Sequence, residues 1–80
     1  MYCEIITPDK NVFSGEIKLI QVPGSTGSFE ILKNHAPIIS TLAEGSVKIV
    51  DKKGERHFFS IDGGVVEFKE NHVIVLAETN

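Results

Sequence analysis

The sequence predicts an all-β domain, a sandwich or small barrel of short strands. Three observations carry this expectation. Apolar and polar residues alternate in short runs rich in β-formers, as in Tyr2-Cys3-Glu4-Ile5-Ile6-Thr7 and His72-Val73-Ile74-Val75-Leu76-Ala77. Clusters of turn-forming residues separate these runs at intervals of roughly 8–12 residues. Apolar residues nowhere recur at i, i+3, i+4 and i+7 with caps at both ends, so no helix beyond a turn or two is expected.

Tyr2 to Thr7 forms the first strand, ended by Pro8-Asp9-Lys10-Asn11, a strong turn cluster. Val12-Phe13 resumes an extended segment, where Gly15 suggests a bulge or bend. In the strand from Glu16 to Val22 the periodicity slips. Ile17 and Leu19 share one face, whereas Ile20 and Val22 share the other. The slip implies a register-shifting bulge or a strand covered on both sides.

From Pro23 to Pro37, glycines and prolines bracket the short apolar core Phe29-Glu30-Ile31-Leu32, so this stretch reads as turn, strand, turn. Its surplus of irregular polar backbone is typical of loops that carry function on a rigid scaffold. Ile38 to Leu42 is the next strand, stopped by Ala43-Glu44-Gly45. Ser46 to Val50 turns Val47 and Ile49 inward and Lys48 outward, and Asp51-Lys52-Lys53-Gly54 makes a polar hairpin turn. Glu55 to Ile61 returns with His57, Phe59 and Ile61 on one side. After Asp62-Gly63-Gly64, the strands Val65 to Lys69 and His72 to Ala77 flank Glu70-Asn71, a connection compatible with a tight hairpin. Gly15, Gly45, Gly63 and Gly64 read as backbone geometry, since glycine alone accepts positive φ without cost.

Eighty residues suit a single domain spanning residues 1–80, with a modest core. A composition 41% hydrophobic and 24% charged is ordinary for a soluble globular protein, and the net charge of −3 argues against a nucleic-acid partner. Cys3 is the single cysteine, which rules out an internal disulfide and gives no sign of an oxidising compartment. The N-terminus lacks a signal-peptide pattern, and no apolar run approaches the roughly 20 residues that span a bilayer.

Catalytic and cofactor chemistry finds no support in the motifs. His35, His57 and His72 lack the short-range pairing of metal motifs, and His57 reads as a packed histidine with a satisfied ring nitrogen. Cys3 has no basic neighbour to stabilise a thiolate and reads as a small buried residue. Ser14, Ser25 and Ser60 have no nucleophile elbow around them. Carboxylate pairs such as Asp9 with Glu16, or Glu67 with Glu70, read as surface groups in turns. Gly24-Ser25-Thr26-Gly27 lacks the lysine and the following helix of a phosphate-binding loop, and Asp62-Gly63-Gly64 lies between strands. No catalytic residue, cofactor site or metal site is expected.

Taken in order, several segments resemble one family. They are Phe13-Ser14-Gly15, Ile20-Gln21-Val22 followed by Gly24-Ser25 and Gly27, and His35-Ala36-Pro37. Gly45 opening a strand, Gly63-Gly64-Val65-Val66-Glu67 and Val73-Ile74-Val75-Leu76-Ala77-Glu78 complete the set. From Tyr2 to Glu78 the chain resembles the epsilon subunit of bacterial F-type ATP synthase, the counterpart of the mitochondrial delta subunit. The resemblance implies a two-sheet β-sandwich of about ten short strands. It also implies a non-catalytic rotor subunit that docks the gamma subunit onto the membrane c ring and couples ion-driven rotation to ATP synthesis. Partners would be gamma, the c-subunit ring and the larger synthase, at the cytoplasmic face of the bacterial plasma membrane and without direct membrane insertion.

The implied c-ring contact comprises Ser25, Thr26, Gly27, Ser28, Phe29, Glu30 and Ile31, and His35, Ala36 and Pro37 are implied near both gamma and the c ring. Two departures from the family pattern stand out. The sequence ends directly after its last strand, so the C-terminal helical hairpin of most bacterial members, with its inhibitory role, is not expected here. Ser28, Glu30 and Lys33 replace the acidic residue, glycine and proline of many members. The strand from His72 to Ala77 presents Ile74 and Leu76 on the face opposite Val73, Val75 and Ala77, an apolar surplus that suits packing on gamma. The alternative is a free-standing sandwich or barrel that binds a small ligand or peptide in a closed pocket.

Overall fold

The computed structural model describes residues 1–79, in which alternating burial resolves into eight strands and no helix. They are β1 (Tyr2–Ile6), β2 (Asn11–Gly24), β3 (Gly27–Leu32), β4 (Ile38–Leu42), β5 (Gly45–Asp51), β6 (Arg56–Ile61), β7 (Gly63–Lys69) and β8 (His72–Glu78). The segments expected separately around Phe13 and from Glu16 to Val22 are one long strand, β2. The strands hydrogen-bond in the order β1-β8-β7-β4-β2-β5-β6; β3 joins β2, and β1 also returns to β2. With both β1 and β4 coming back to β2, the path folds over into two leaves, β1-β8-β7-β4 and β3-β2-β5-β6. The β1–β8 pair is parallel, and the other ladders are antiparallel.

β2 serves both leaves because its inward face changes parity. Ile17 and Ile20 are both buried although three positions apart, which unbroken alternation forbids. The ladder with β5 shifts register between Ile17 and Leu19, so of the two readings of the slipped periodicity, a bulge or a strand covered on both sides, the bulge is present. Before it, β2 pairs with β1; after it, with β3.

Every strand feeds one core. Phe68, Ile5, Ile20, Ile31 and Ile49 are its largest fully buried side chains, each worth roughly 1.5–3 kcal/mol of transfer free energy. Val47 and Ile49 face inward from β5, and Val73, Val75 and Ala77 from β8, as their alternation predicts. The connections gather at two ends. The β2–β3 turn, the β4–β5 connection and Asp62 lie at one; the β3–β4 loop and the β5–β6 and β7–β8 turns lie at the other.

Candidate functional site

The β2–β3 turn is built for close quarters. A Cβ on Gly24 would lie 2.6 Å from the Gly27 carbonyl oxygen and 2.8 Å from the Phe29 ring, so a side chain here would force the hairpin apart. Ser25 at the tip is tied to β4: its N–H donates to the Thr41 carbonyl oxygen at 3.0 Å, and the two hydroxyls meet at 2.9 Å. The Ala43 N–H donates to the Pro23 carbonyl oxygen at 2.8 Å, fixing the neighbouring connection. Ser25, Thr26, Gly27, Ser28 and Glu30 are exposed, Phe29 is half-buried and Ile31 is fully buried in the core. The side chains this segment offers a partner are therefore those of Ser25, Thr26, Ser28 and Glu30.

His35, Ala36 and Pro37 are exposed but lie beyond the other end of β3. A six-residue strand separates them from the Ser25–Thr26 turn, about 20 Å at an ordinary strand rise. The stretch from Pro23 to Pro37 is thus two surfaces at opposite ends of the sandwich. Its far loop is held by a reciprocal asparagine clamp: Asn34 N–H donates to Asn71 Oδ1 at 2.7 Å, and Asn71 Nδ2 donates to Asn34 Oδ1 at 3.0 Å. His35 Nδ1 donates to the Ala36 carbonyl oxygen at 2.7 Å, and its ring stands edge-on to Phe68, centroids 6.0 Å apart.

Ile74 and Leu76 point outward from β8, with Leu76 53% exposed. The ladders set Leu76 between Ile6 and Val65, and Ile74 between Glu4 and Glu67. Ile6, Val65, Ile74 and Leu76 therefore form one apolar surface across three strands. It lines open grooves of about 370 and 290 Å³. Gly64 permits this relief: at φ +146 its backbone runs so close to β8 that a Cβ would strike the Leu76 carbonyl oxygen.

Asp51 and His57 serve structure. Asp51 Oδ1 accepts from the N–H groups of Lys53 and Glu55 at 2.8 and 2.9 Å, and Oδ2 accepts from His57 Nε2 at 2.8 Å. The His57 hydrogen bond, followed by that from the Glu55 backbone, holds the Asp51 carboxyl below the ordinary carboxylate range. Ligand atoms of Asp51, Glu55 and His57 lie within 4.8 Å of one another, yet both Asp51 oxygens already close the β5–β6 turn. His57, packed beside Phe13 with its ring nitrogen satisfied, has the environment its alternation suggests. His72 Nε2 donates to Glu4 Oε1 at 2.8 Å across the parallel β1–β8 pair, which no local sequence signal gives away.

An exposed, tethered turn and an open apolar face are two surfaces that this sandwich turns outward. The chain belongs to the family of the ATP synthase delta/epsilon chain, β-sandwich domain, whose profile matches residues 1–80. It is 34% identical over 79 residues to the ATP synthase epsilon chain of Alkalilimnicola ehrlichii, covering 99% of this chain and 56% of that relative. The chain therefore spans a little over half the length of that curated relative.

Two solved structures share the fold. A chain of the Euglena gracilis mitochondrial ATP synthase, in an OSCP/F1/c-ring structure, matches with a TM-score of 0.87 and 18% identity, over 94% of this chain and 48% of that one. A chain of the Tetrahymena thermophila mitochondrial ATP synthase, in a central stalk and c-ring structure, matches with a TM-score of 0.82 and 20% identity, over 99% and 63%. The family is that of an accessory, non-catalytic subunit of a membrane-associated complex. Among the described residues no helix is long and apolar enough to cross a membrane.

Proposed function

We propose that this chain is a central-stalk subunit of an F-type ATP synthase that docks the gamma subunit onto the c ring and carries rotation between them. The observation that carries the reading is the outward apolar surface of Ile6, Val65, Ile74 and Leu76 on a member of this family. Such a surface is unfavourable in water and gains free energy on burial against a partner. Gamma takes this surface. The c ring takes the opposite requirement, a polar and rigid contact, at the Ser25–Ser28 end. His35, Ala36 and Pro37, a strand's length away, belong to the gamma side in this arrangement. The assembled subunit sits at the cytoplasmic face of the bacterial plasma membrane.

The test is affinity purification of the intact synthase from detergent-solubilised membranes with this chain as bait. Recovery of gamma and c subunits is expected; recovery of neither overturns the reading. Glu30, exposed midway along β3, is the one charged side chain from Ser25 to Ile31, so Glu30→Lys is expected to weaken binding to purified c ring several-fold while thermal unfolding is unchanged. Unchanged ring affinity would move the contact elsewhere.

A further inference from the structure

The geometry points to the kind of segment that occupies the apolar face: an amphipathic helix of the partner whose apolar stripe is flanked by arginine or lysine. This rests on the reading that gamma docks there and adds the chemistry of the contact. The first reason is the backbone. β1 lies between β2 and β8, β8 between β1 and β7, and β7 between β8 and β4. All three strands beneath the surface therefore have ladder partners on both sides, so none can accept an added strand. An occupant must satisfy its own peptide groups, as a helix does. Three strands at about 4.8 Å spacing also give the surface a width close to the roughly 10 Å of a helix.

The second reason is charge. Register places Glu4 and Glu67 on either side of Ile74, while Glu78 closes the end of the groove beyond Leu76. Glu70 joins Glu67 at the other end of this face, where Lys69 is the accompanying lysine. Glu70 also stands at φ +52, in a turn position that favours asparagine or glycine, so local backbone preference does not account for a glutamate there. The outer face of the other leaf has the opposite balance, with Lys48 and Arg56 outward against Glu30. It too exposes apolar side chains, Leu32 and Phe58. Burying apolar surface alone would not tell the faces apart, whereas a basic-flanked helix is attracted to one and repelled by the other.

The experiment titrates the chain with purified gamma subunit from the same synthase, between roughly 0.05 and 0.3 M salt. Wild-type affinity is expected to fall as salt rises. Leu76→Asp should abolish binding, and Glu67→Lys should weaken it about tenfold or more, with Glu67→Gln between. Arg56→Glu, on the other face, should bind as wild type. The substituted side chains are exposed, and circular dichroism melting confirms that each variant is folded. Loss of binding in Leu76→Asp with undiminished affinity in Glu67→Lys and Glu78→Lys would overturn the basic-flanked helix while leaving gamma on this face. Normal binding by Leu76→Asp, or no binding of gamma by the wild type, would overturn the docking reading and this inference with it.

Discussion

Burial, with the Glu4 carboxylate beside it, pushes the Cys3 thiol up to about 12 from an ordinary 9.0. The folded state thus holds the proton where the unfolded chain has lost it. The associated stability is fully present below about pH 9 and declines as pH rises toward 12. Urea midpoints measured from pH 8 to about pH 11 should fall more steeply in the wild type than in Cys3→Ala; parallel slopes would show that the thiol is not responsible. The native thiol should also resist alkylation until the chain unfolds. Asn34 and Asn71 illustrate the other kind of constraint, combining positive φ of 66° and 58° with a reciprocal clamp. Asn71→Gly keeps the backbone and loses the clamp, at about 1 kcal/mol; Asn71→Ala adds roughly another 1 kcal/mol of left-handed strain. Equal losses in the two variants, read from chemical denaturation, would remove the conformational part. Its place in a strand and the lack of a basic neighbour made Cys3 readable as a buried residue, but a pair of asparagines 37 positions apart leaves no trace in sequence.

β2, β3 and β8 show where periodicity speaks and where it stops. The parity change between Ile17 and Ile20 signals a bulge or a strand covered on both sides, because each position has only two sides to face, and the ladder shows the bulge. The same rule applied to β3 sends Phe29 and Ile31 inward and Ser28 and Glu30 outward, as found; treating the whole stretch as one loop contact conceals it. On β8 the outward Ile74 and Leu76 are legible for the same reason. What alternation cannot supply is which strand lies beside which, hence the apolar surface shared with Ile6 and Val65. Gly64 depends on that adjacency. Gly64→Ala meets the Leu76 carbonyl at a φ of +146 and should cost about 3 kcal/mol, read as a lower denaturation midpoint. A loss of a few tenths, typical of an unstrained exposed site, would mean that β7 and β8 can separate locally without harm.

For the assembled domain, net charge argues against a nucleic-acid partner but is silent on the sorting of charge. Glu4 and Glu67 share a face with an apolar centre, whereas Lys48 and Arg56 lie on the reverse, an asymmetry that net charge averages away. The two ends of the Pro23–Pro37 stretch were equally hidden, since adjacency in sequence suggested adjacency in space. β2 has a mechanical consequence. One uninterrupted strand is hydrogen-bonded to β1 in its first half and to β3 and β5 in its second. A sideways load applied to one outer face therefore reaches the other through covalent backbone as well as through apolar packing. Sliding the leaves past each other requires unzipping β2 rather than shearing a greasy layer, so the two leaves resist lateral load as one body.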